Sequence, residues 1–268
     1  MKVLFVCTGN TCRSPMAEGY LKAMGLYAES RGIAADGSKV SENSATAMSE
    51  IGIDISGHIS QQLTKSDIEN FDTVICMSKS HFDYLSALGI ECEVLGDGIS
   101  DPYGGDIEIY RNCRDQIIKA LYKRFGRVLF MDKSHIDGVV EIEKACFSHP
   151  WTKDGIIEAL DNRTKFYVFE KDEKVLGYVG VSVILDEGYI TNVAVLPEYR
   201  GLGIGNALMK KLDDLAKLEK LSFISLEVRV SNQKAISLYE KFGYKIEGVR
   251  KNFYDDPKED ALIMTKRF

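Results

Sequence analysis

The sequence predicts a protein of the α/β class with two domains, residues 1–126 and residues 127–268. In the first half, short apolar strand segments alternate with helical segments, a pattern typical of a parallel sheet with helices on both faces. In the second half, the strands are longer and are joined by tight turns such as Glu187-Gly188, which indicates antiparallel pairing. A chain of 268 residues is long enough for each half to bury its own core.

The first half follows a strand–helix alternation. Its predicted strands are 2–7, 27–34, 72–77 and 92–95. Its predicted helices are 14–24, 41–51, 79–88 and 107–125. Pro15 suits a first helical turn, because its fixed φ is helical and it has no N–H to leave unpaired there. Gly52, Gly89 and Gly126 follow three of these helices, a position at which glycine commonly ends a helix.

The second half begins directly after Gly126, without a Pro-, Ser- or Gly-rich linker. Its predicted strands are 127–131, 165–170, 174–185, 189–196, 222–229, 244–250 and 259–267. Its predicted helices are 134–146, 153–162, 203–219 and 232–242. The run of long strands interrupted by a single helix at a time predicts a mixed sheet rather than a second parallel one.

Composition and charge restrict the classes of function. The net charge of −6 and the absence of a Lys/Arg tract argue against a protein that binds nucleic acid directly. No apolar run approaches the ~20 residues that span a bilayer, and a strand that starts at residue 2 leaves no room for a signal peptide. We therefore expect no membrane association. The four histidines and six cysteines lack metal-ligand spacing, so no metal site is expected.

A short loop near the N-terminus carries the clearest chemical signal. Cys7 and Arg13 stand six positions apart with Ser14 next, the C-x5-R-[ST] spacing of a cysteine-dependent phosphatase. Such a loop can turn its N–H groups toward one anion, to which the following helix adds its positive end, and Arg13 can bind two phosphate oxygens. The same field is expected to lower the pKa of Cys7, so that the thiolate attacks phosphorus. A catalytic thiol must stay reduced, which predicts a cytoplasmic location.

The first 126 residues resemble the low-molecular-weight protein tyrosine phosphatases, through Val6-Cys-Thr-Gly-Asn-Thr-Cys-Arg-Ser-Pro15 and Asp101-Pro102-Tyr103. The resemblance implies a flavodoxin-like domain with the phosphate loop at the carboxyl end of the first strand. It implies that Cys7 forms a cysteinyl-phosphate while Asp101 protonates the leaving group, and that Asp101 then acts as the base toward water. The expected phosphate-binding residues are Thr8, Gly9, Asn10, Thr11, Cys12 and Ser14.

The same resemblance assigns supporting roles within the loop. Arg13 and the loop amides are expected to stabilise the equatorial oxygens of the transition state, Ser14 to hydrogen-bond the thiolate, and Asn10 to hold the strained loop. Phosphotyrosine enzymes of this fold tend to carry an aliphatic residue at the position of Thr11, whereas protein-arginine phosphatases carry threonine. We therefore expect a phosphorylated protein as substrate, with phosphoarginine favoured and phosphotyrosine as the other option. The alternative is that Thr11 is merely a tolerated loop residue and has no role in the choice of substrate.

Arsenate reductases share this loop and form the alternative function for the first half. They relay a disulfide through two further cysteines that lie close together. Cys76 falls in a predicted buried strand and Cys92 in another strand, which is the wrong arrangement for a mobile relay. Cys12 lies in the loop with Cys7 and is predicted to form a reversible disulfide that protects the nucleophile from overoxidation.

From Met131 onward the chain resembles the GCN5-related N-acetyltransferases. The motif runs from Val193 to Leu208, with Arg200, Gly203 and Gly205 supplying an R-x-x-G-x-G pattern between a strand and a helix. Glycines allow close approach of the backbone, and N–H groups at a helix start can bind the pyrophosphate of coenzyme A. The resemblance implies a mixed sheet that splays open around acetyl-CoA. The expected cofactor-binding residues are Val193, Ala194, Val195, Arg200, Gly201, Leu202, Gly203, Ile204, Gly205 and Asn232.

Within that family, the second half is similar to the ribosomal-protein alanine acetyltransferases. The matching segments are 142–151, 226–232, 235–239 and 259–264. The resemblance implies that Glu227 is the general base that deprotonates the incoming amine through water, and that Tyr239 is the acid that protonates the departing thiolate. The expected acetyl acceptor is the N-terminus of a ribosomal protein.

The sequence as a whole predicts a bifunctional enzyme, a cysteine-dependent protein phosphatase joined to an acetyl-CoA-dependent N-acetyltransferase. Two alternatives stay open. One concerns the acetyl acceptor of the second half, and the other concerns whether both halves are catalytic. The acetyl acceptor can be a small-molecule amine, because this fold serves many acceptors. One half can also be a binding module that presents substrates to the other without catalysis of its own.

Overall fold

A computed structural model describes residues 1–97, 99–162 and 164–268. The chain divides into two compact units, Met1–Gly126 and Arg127–Phe268. Each unit has an apolar core of its own, formed in the first by side chains such as Phe5 and Met16 and in the second by side chains such as Phe166 and Leu208. Within the described ranges, no helix is long and apolar enough to cross a membrane.

The first unit contains a parallel sheet with the strand order β2-β1-β3-β4. The strands are β1 (Lys2–Cys7), β2 (Tyr27–Gly32), β3 (Thr73–Cys76) and β4 (Glu93–Val94). β1 lies between β2 and β3, and residues 3–7 of this apolar strand are buried. Because parallel strands end at the same edge of a sheet, the segments that follow β1, β2 and β3 meet there.

Five helices in the described part of this unit flank the sheet. They are α1 (Arg13–Ala23), α2 (Glu42–Ser49), α3 (Lys65–Asn70), α4 (Lys79–Ala87) and α5 (Ile107–Phe125). The predicted helices of this unit are all found, with ends that differ from the prediction by at most two residues. The sequence analysis missed α3, a helix of six residues whose start is set by reciprocal hydrogen bonds between Thr64 and Asp67. Gly126, with a φ of 86°, ends α5 as expected.

The second unit contains a mixed sheet with the order β10-β11-β9-β8-β7-β6-β5. Its strands are β5 (Arg127–Phe130), β6 (Thr164–Lys171), β7 (Lys174–Ile184), β8 (Glu187–Val195), β9 (Phe223–Arg229), β10 (Lys245–Asp255) and β11 (Lys258–Arg267). All neighbours are antiparallel except β8 and β9, which are parallel. The predicted α/β class, with a parallel sheet followed by a mixed one, is confirmed.

The sheet of the second unit opens between its two parallel strands. β8 pairs with β9 only from Glu187 to Tyr189, opposite Phe223–Ser225. Residues 190–195 of β8 continue to pair with β7 on the other side. The edge of β8 that faces β9 is therefore free of strand pairing along this stretch, which leaves backbone groups for another partner.

The helices of the second unit are α6 (Ile136–Cys146), α7 (Lys153–Asp161), α8 (Ile204–Glu219) and α9 (Gln233–Lys241). Short 3-10 turns precede α6 and α8, at Lys133–His135 and Pro197–Tyr199. α6 packs on β7 and β8, and α8 packs on β6, β7 and β8. The strand predicted near 244–250 is longer than expected and extends to Asp255.

Candidate active sites

The loop between β1 and α1 lines a cavity of about 530 Å³ in the first unit. Cys7 is the last residue of β1 and Arg13 the first residue of α1, so five residues connect a strand end to a helix start. All five, Thr8 to Cys12, line the cavity together with Cys7 and Arg13. Asp101 and Tyr103, from the loop before α5, form another part of its wall, and residues between 34 and 41, including Asp36 and Lys39, form the rest. The structure thus brings together the three residues expected to be catalytic in this half.

The Cys7 thiol is held from two sides. Its Sγ lies 2.9 Å from Ser14 Oγ, and the Asn10 backbone N–H donates to it over 3.2 Å. Burial nevertheless raises the pKa of the Cys7 thiol, and this outweighs the lowering by those hydrogen bonds and by the charge of Arg13. The expected lowering of this pKa is therefore wrong for the free protein. The sequence analysis did not take into account how deeply the thiol is buried, and the nearby Arg13 is itself paired with a carboxylate.

That carboxylate belongs to Asp101. Arg13 Nη2 donates a short hydrogen bond to Asp101 Oδ2, and the Arg13 side chain is mostly buried. The second oxygen of Asp101 accepts from the Tyr103 backbone N–H over 3.2 Å. A phosphate entering the cavity must therefore share the guanidinium with Asp101, or displace it.

Asn10 supports the loop from behind. It has a φ of 57°, in the left-handed region that side chains other than glycine seldom adopt. Its side-chain amide donates to Ser14 Oγ over 3.0 Å and to Ser30 Oγ over 2.7 Å, and its Oδ1 accepts from the Gln61 N–H over 2.9 Å. These three bonds compensate the strain and fix the loop geometry, in agreement with the role expected for Asn10.

A histidine that the sequence analysis did not single out contacts the same loop. His81 Nε2 lies 2.9 Å from Thr8 Oγ1, and its Nδ1 lies 2.7 Å from Ser78 Oγ. His81 is buried, and burial together with the charge of Arg13 lowers its pKa to about 4. The imidazole is therefore neutral at physiological pH and links the start of α4 to the phosphate loop.

The surroundings of three other cysteines bear on the predicted protection of Cys7 and on the arsenate reductase alternative. Cys12 Sγ lies 3.4 Å from the Tyr110 hydroxyl and 3.6 Å from Thr11 Oγ1, inside the first unit. Cys76 is buried in β3, and its pKa is raised by burial and by contact with the thiol of Cys92. These two thiols lie side by side, which their separation in the sequence did not suggest. Cys76 is nevertheless a residue of a buried strand rather than of a mobile segment.

The second candidate site lies where β8 leaves β9. Val193, Ala194 and Val195 form the end of β8, beyond its last pairing with β9. The loop that follows turns at Gly201 and Gly203, with φ values of 81° and 92°, before α8 begins at Ile204. The predicted cofactor residues from 200 to 205 therefore form a glycine turn at a helix start, as expected for an anion-binding loop.

Arg200 and Asn232 make contacts within the protein. Arg200 Nε donates to the Val195 carbonyl over 3.0 Å, so its side chain ties the loop to the strand end. Asn232 Oδ1 accepts from the Ala235 N–H over 3.2 Å and caps the start of α9. The side-chain oxygen of Asn232 therefore has a structural role at this helix, in addition to any role toward coenzyme A.

Glu227 and Tyr239 both lie near Tyr254. Glu227, on β9, accepts from Arg250 Nη1 over 2.8 Å, and its backbone carbonyl accepts from the Tyr254 hydroxyl over 3.4 Å. Tyr239, on α9, is buried, and its pKa is raised by burial and by the neighbouring Tyr254. Its phenol is therefore protonated at neutral pH, the form that a proton donor requires. The sequence analysis did not identify Arg250.

In the described parts of the chain, no group of three or more His, Cys, Asp and Glu side chains is arranged to hold a metal ion. The two sites offer different sets of side chains and backbone groups. The first is a nucleophilic thiol beside a guanidinium and a carboxylate, and the second is a carboxylate and a phenol beside an open strand edge.

Comparison with known proteins finds two families. The profile described as low molecular weight phosphotyrosine protein phosphatase matches residues 2–135, and the profile of the acetyltransferase (GNAT) family matches residues 136–244. A protein-arginine-phosphatase from Geobacillus stearothermophilus is 40% identical over 131 residues, covering 43% of this chain and 88% of that protein.

For the second half, the [ribosomal protein bS18]-alanine N-acetyltransferase of Escherichia coli K12 is 31% identical over 136 residues, covering 50% of this chain and 92% of that protein. The crystal structure of the ribosomal-protein-S18-alanine N-acetyltransferase from Escherichia coli superimposes with a TM-score of 0.50 at 29% identity. It covers 53% of this chain and 93% of that chain.

Proposed function

The chain belongs to the low molecular weight phosphotyrosine protein phosphatase family in its first half and to the GNAT acetyltransferase family in its second, and on this basis we propose a substrate and a residue assignment for each half. The protein is a bifunctional enzyme with a phosphatase and an acetyltransferase domain. The first half hydrolyses phosphoarginine in proteins, and the second acetylates the N-terminal alanine of a ribosomal protein.

The phosphatase reaction uses the side chains that meet in the cavity after β1. Cys7 Sγ attacks phosphorus, and the loop from Thr8 to Cys12 with Arg13 stabilises the equatorial oxygens. Asp101 protonates the leaving nitrogen or oxygen, and then takes a proton from the water that hydrolyses the cysteinyl-phosphate. The observation that carries this proposal is the shared cavity of Cys7, Arg13 and Asp101 at the start of a helix.

The raised pKa of Cys7 shapes the first step. In the free protein the thiol keeps its proton, because burial outweighs the lowering of its pKa by Arg13 and by the hydrogen bonds of Ser14 and Asn10. A phosphate that binds Arg13 releases Asp101 toward the leaving group. The proton of Cys7 then passes to the carboxylate of Asp101, which carries it to the leaving group, and Ser14 Oγ and the Asn10 N–H stabilise the thiolate that forms.

Two observations favour phosphoarginine over phosphotyrosine. Thr11 lines the cavity, where its hydroxyl can orient a water molecule or a guanidinium, whereas an aliphatic side chain would favour an aromatic ring. The cavity wall also contains the carboxylates of Asp36 and Asp101, which suit a cationic guanidinium. The Geobacillus relative that is named a protein-arginine-phosphatase supports the same substrate. The test is kcat/KM on a phosphoarginine peptide against its phosphotyrosine counterpart, with arsenate reduction as a third assay.

For the second half we propose acetyl-CoA as the acetyl donor, held by the open edge of Val193–Val195 and by the glycine turn from Arg200 to Gly205. The splayed strands and the turn at the start of α8 fit a pantetheine arm and a pyrophosphate, respectively. When bound, acetyl-CoA supplies an activated thioester. Glu227 removes a proton from the acceptor amine through water, and Tyr239 protonates the thiolate that leaves.

The acceptor that we propose follows the Escherichia coli relative, which is named for alanine acetylation of ribosomal protein bS18. A peptide that begins Ala-Arg, assayed beside polyamines and aminoglycosides, separates a protein acceptor from a small-molecule amine. Acetylation of the peptide alone supports the proposal, and acetylation of the amines alone contradicts it. We also propose a cytoplasmic location, because the nucleophilic thiol of Cys7 must stay reduced.

A further inference from the structure

A carboxylate with no solvent exposure lies beside the proposed acetyl-CoA strand. Glu143, on α6, is 0% exposed. Burying a carboxylate is costly unless hydrogen bonds replace its water. Glu143 is a residue of neither proposed reaction, and its position requires an explanation.

Three donors from three parts of the chain meet this carboxylate. The Trp151 backbone N–H donates to Oε2 over 2.6 Å, from the segment between α6 and α7. The Tyr178 hydroxyl, on β7, donates a short hydrogen bond to Oε1, and Asn192 Nδ2, on β8, donates to Oε1 over 3.1 Å. All three donors are neutral, so Glu143 joins α6 and the segment after it to two strands of the sheet. Burial and the neighbouring carboxylate both raise the pKa of Tyr178, which keeps its hydroxyl proton in place.

Asn192 occupies a special place on β8. Gly180 pairs with Asn192 and Val181 pairs with Ile190, so Thr191 is an extra residue and β8 has a bulge there. The bulge lies just beyond Tyr189, the last residue of β8 that pairs with β9. Val193–Val195, the proposed acetyl-CoA strand, begins directly after Asn192.

We propose that Glu143 is a positioning residue for acetyl-CoA. By holding the Asn192 side chain, it fixes the end of the bulge and therefore the direction in which residues 193–195 present their backbone groups. This inference rests on the proposed function, because that function assigns residues 193–195 to acetyl-CoA. Bulges redirect a strand, and a hydrogen-bonded buried group is the means to keep one orientation.

The experiment measures the Kd of coenzyme A by calorimetry, and kcat and KM on the acceptor peptide, for wild type, Glu143→Gln and Asn192→Ala. Glu143→Gln keeps the shape but replaces an acceptor oxygen by a donor, which conflicts with the donors around it. We expect the Kd of coenzyme A to rise about tenfold in both variants, as the loss of one charge-assisted hydrogen bond predicts. Glu141→Gln, an exposed change on the same helix, is the matched control and keeps wild-type values.

Circular dichroism and thermal melting of each variant show whether the second unit is folded, and phosphatase activity shows that the first unit is intact. A role confined to stability would lower the melting temperature and leave the Kd and kcat of the folded protein unchanged, and that result overturns the inference. If Glu143→Gln does not fold, Asn192→Ala decides in the same way. A wild-type protein that binds no coenzyme A contradicts the proposed function itself, whereas binding that both variants retain contradicts only the role of Glu143.

Discussion

The guanidinium of Arg13 is hydrogen-bonded to the carboxylate of Asp101, a residue 88 positions later in the chain. The pair joins the residue that is proposed to bind phosphate to the residue that is proposed to transfer the proton. The charge of Arg13 lowers the pKa of Cys7, but burial of the thiol outweighs this effect and raises that pKa above its ordinary value.

Replacing Asp101 tests whether its carboxylate competes with phosphate for the guanidinium of Arg13. In Asp101→Asn we expect kcat on a phosphorylated substrate to fall about 100-fold or more, because the general acid is lost. We also expect inorganic phosphate to inhibit more strongly, with a Ki several-fold lower, because no carboxylate competes for Arg13. Steady-state kinetics with phosphate as inhibitor measure both quantities. An unchanged Ki for phosphate would show that the ion pair does not persist in solution.

Thr11→Ile tests the choice of substrate. We expect the ratio of kcat/KM on phosphoarginine to that on phosphotyrosine to fall about tenfold, because a hydroxyl is replaced by an aliphatic surface that suits an aromatic ring. Thr11→Ser keeps the hydroxyl and is the matched control. If wild type and Thr11→Ile have equal ratios of kcat/KM on the two substrates, Thr11 does not determine the substrate specificity.

Cys12 is predicted to protect the nucleophile from peroxide. Hydrogen peroxide oxidises Cys7 to a sulfenic acid, which condenses with Cys12 to a disulfide and releases water. Wild type should then regain its phosphatase activity with dithiothreitol, whereas Cys12→Ser should lose it irreversibly. Cys146→Ser, in the second unit, serves as the control and should recover like wild type. Full recovery of Cys12→Ser would contradict the protection.

His81 makes the stability of the first unit depend on pH. Its pKa is lowered to about 4 by burial, while the unfolded chain has an ordinary histidine pKa near 6.5. The folded state therefore keeps its full stability above about pH 6.5 and loses on the order of 2–3 kcal/mol as the pH falls to 4, because the unfolded state takes up the proton first. Scanning calorimetry should show this loss in wild type and a smaller one in His81→Asn.

The exposed His149 provides the comparison, since His149→Asn should follow the wild-type pH dependence. His81→Asn should also weaken phosphate binding, because the contact with Thr8 Oγ1 changes. If the stability of His81→Asn falls with acid as steeply as that of wild type, another group is responsible.

Cys7→Ser and Glu227→Gln test the independence of the two activities. We expect Cys7→Ser to abolish phosphatase activity and leave acetyl transfer at the wild-type rate, and Glu227→Gln to do the reverse. Both variants are assayed in both reactions, and the same preparation of each variant is used for the two assays. A wild-type protein with only one of the two activities would instead support the alternative in which the other half presents substrates, and loss of both activities in either variant would show that the two sites depend on each other.

The sequence was sufficient for features that depend on local spacing. The interval from Cys7 to Arg13 predicted a loop between a strand and a helix, and the glycines at 201 and 203 predicted the turn before α8. Both follow from backbone conformations that only a few neighbouring residues determine. The openness of the sheet beside residues 193–195 was also expected, from the family resemblance.

The features that the sequence did not predict depend on contacts between distant residues. His81 is 73 positions from Thr8, and Glu143 is 49 positions from Asn192. His81 stands in no motif, and Glu143 lies in the family-matching segment 142–151 without a role assigned to it. A buried polar side chain cannot be distinguished from an exposed one by its letter. The predicted direction of the Cys7 pKa shift was wrong because burial of the thiol, which depends on the packing of the whole unit, outweighs the charge of Arg13.

One consequence follows from Gly126. α5 ends at Phe125 and β5 starts at Arg127, so a single glycine connects the last helix of one unit to the first strand of the next. No extended segment at this junction offers a protease a place to separate the two enzymes. A cell that makes this chain therefore holds phosphatase and acetyltransferase in a fixed one-to-one ratio, and any change in the level of one activity through synthesis or degradation changes the other equally.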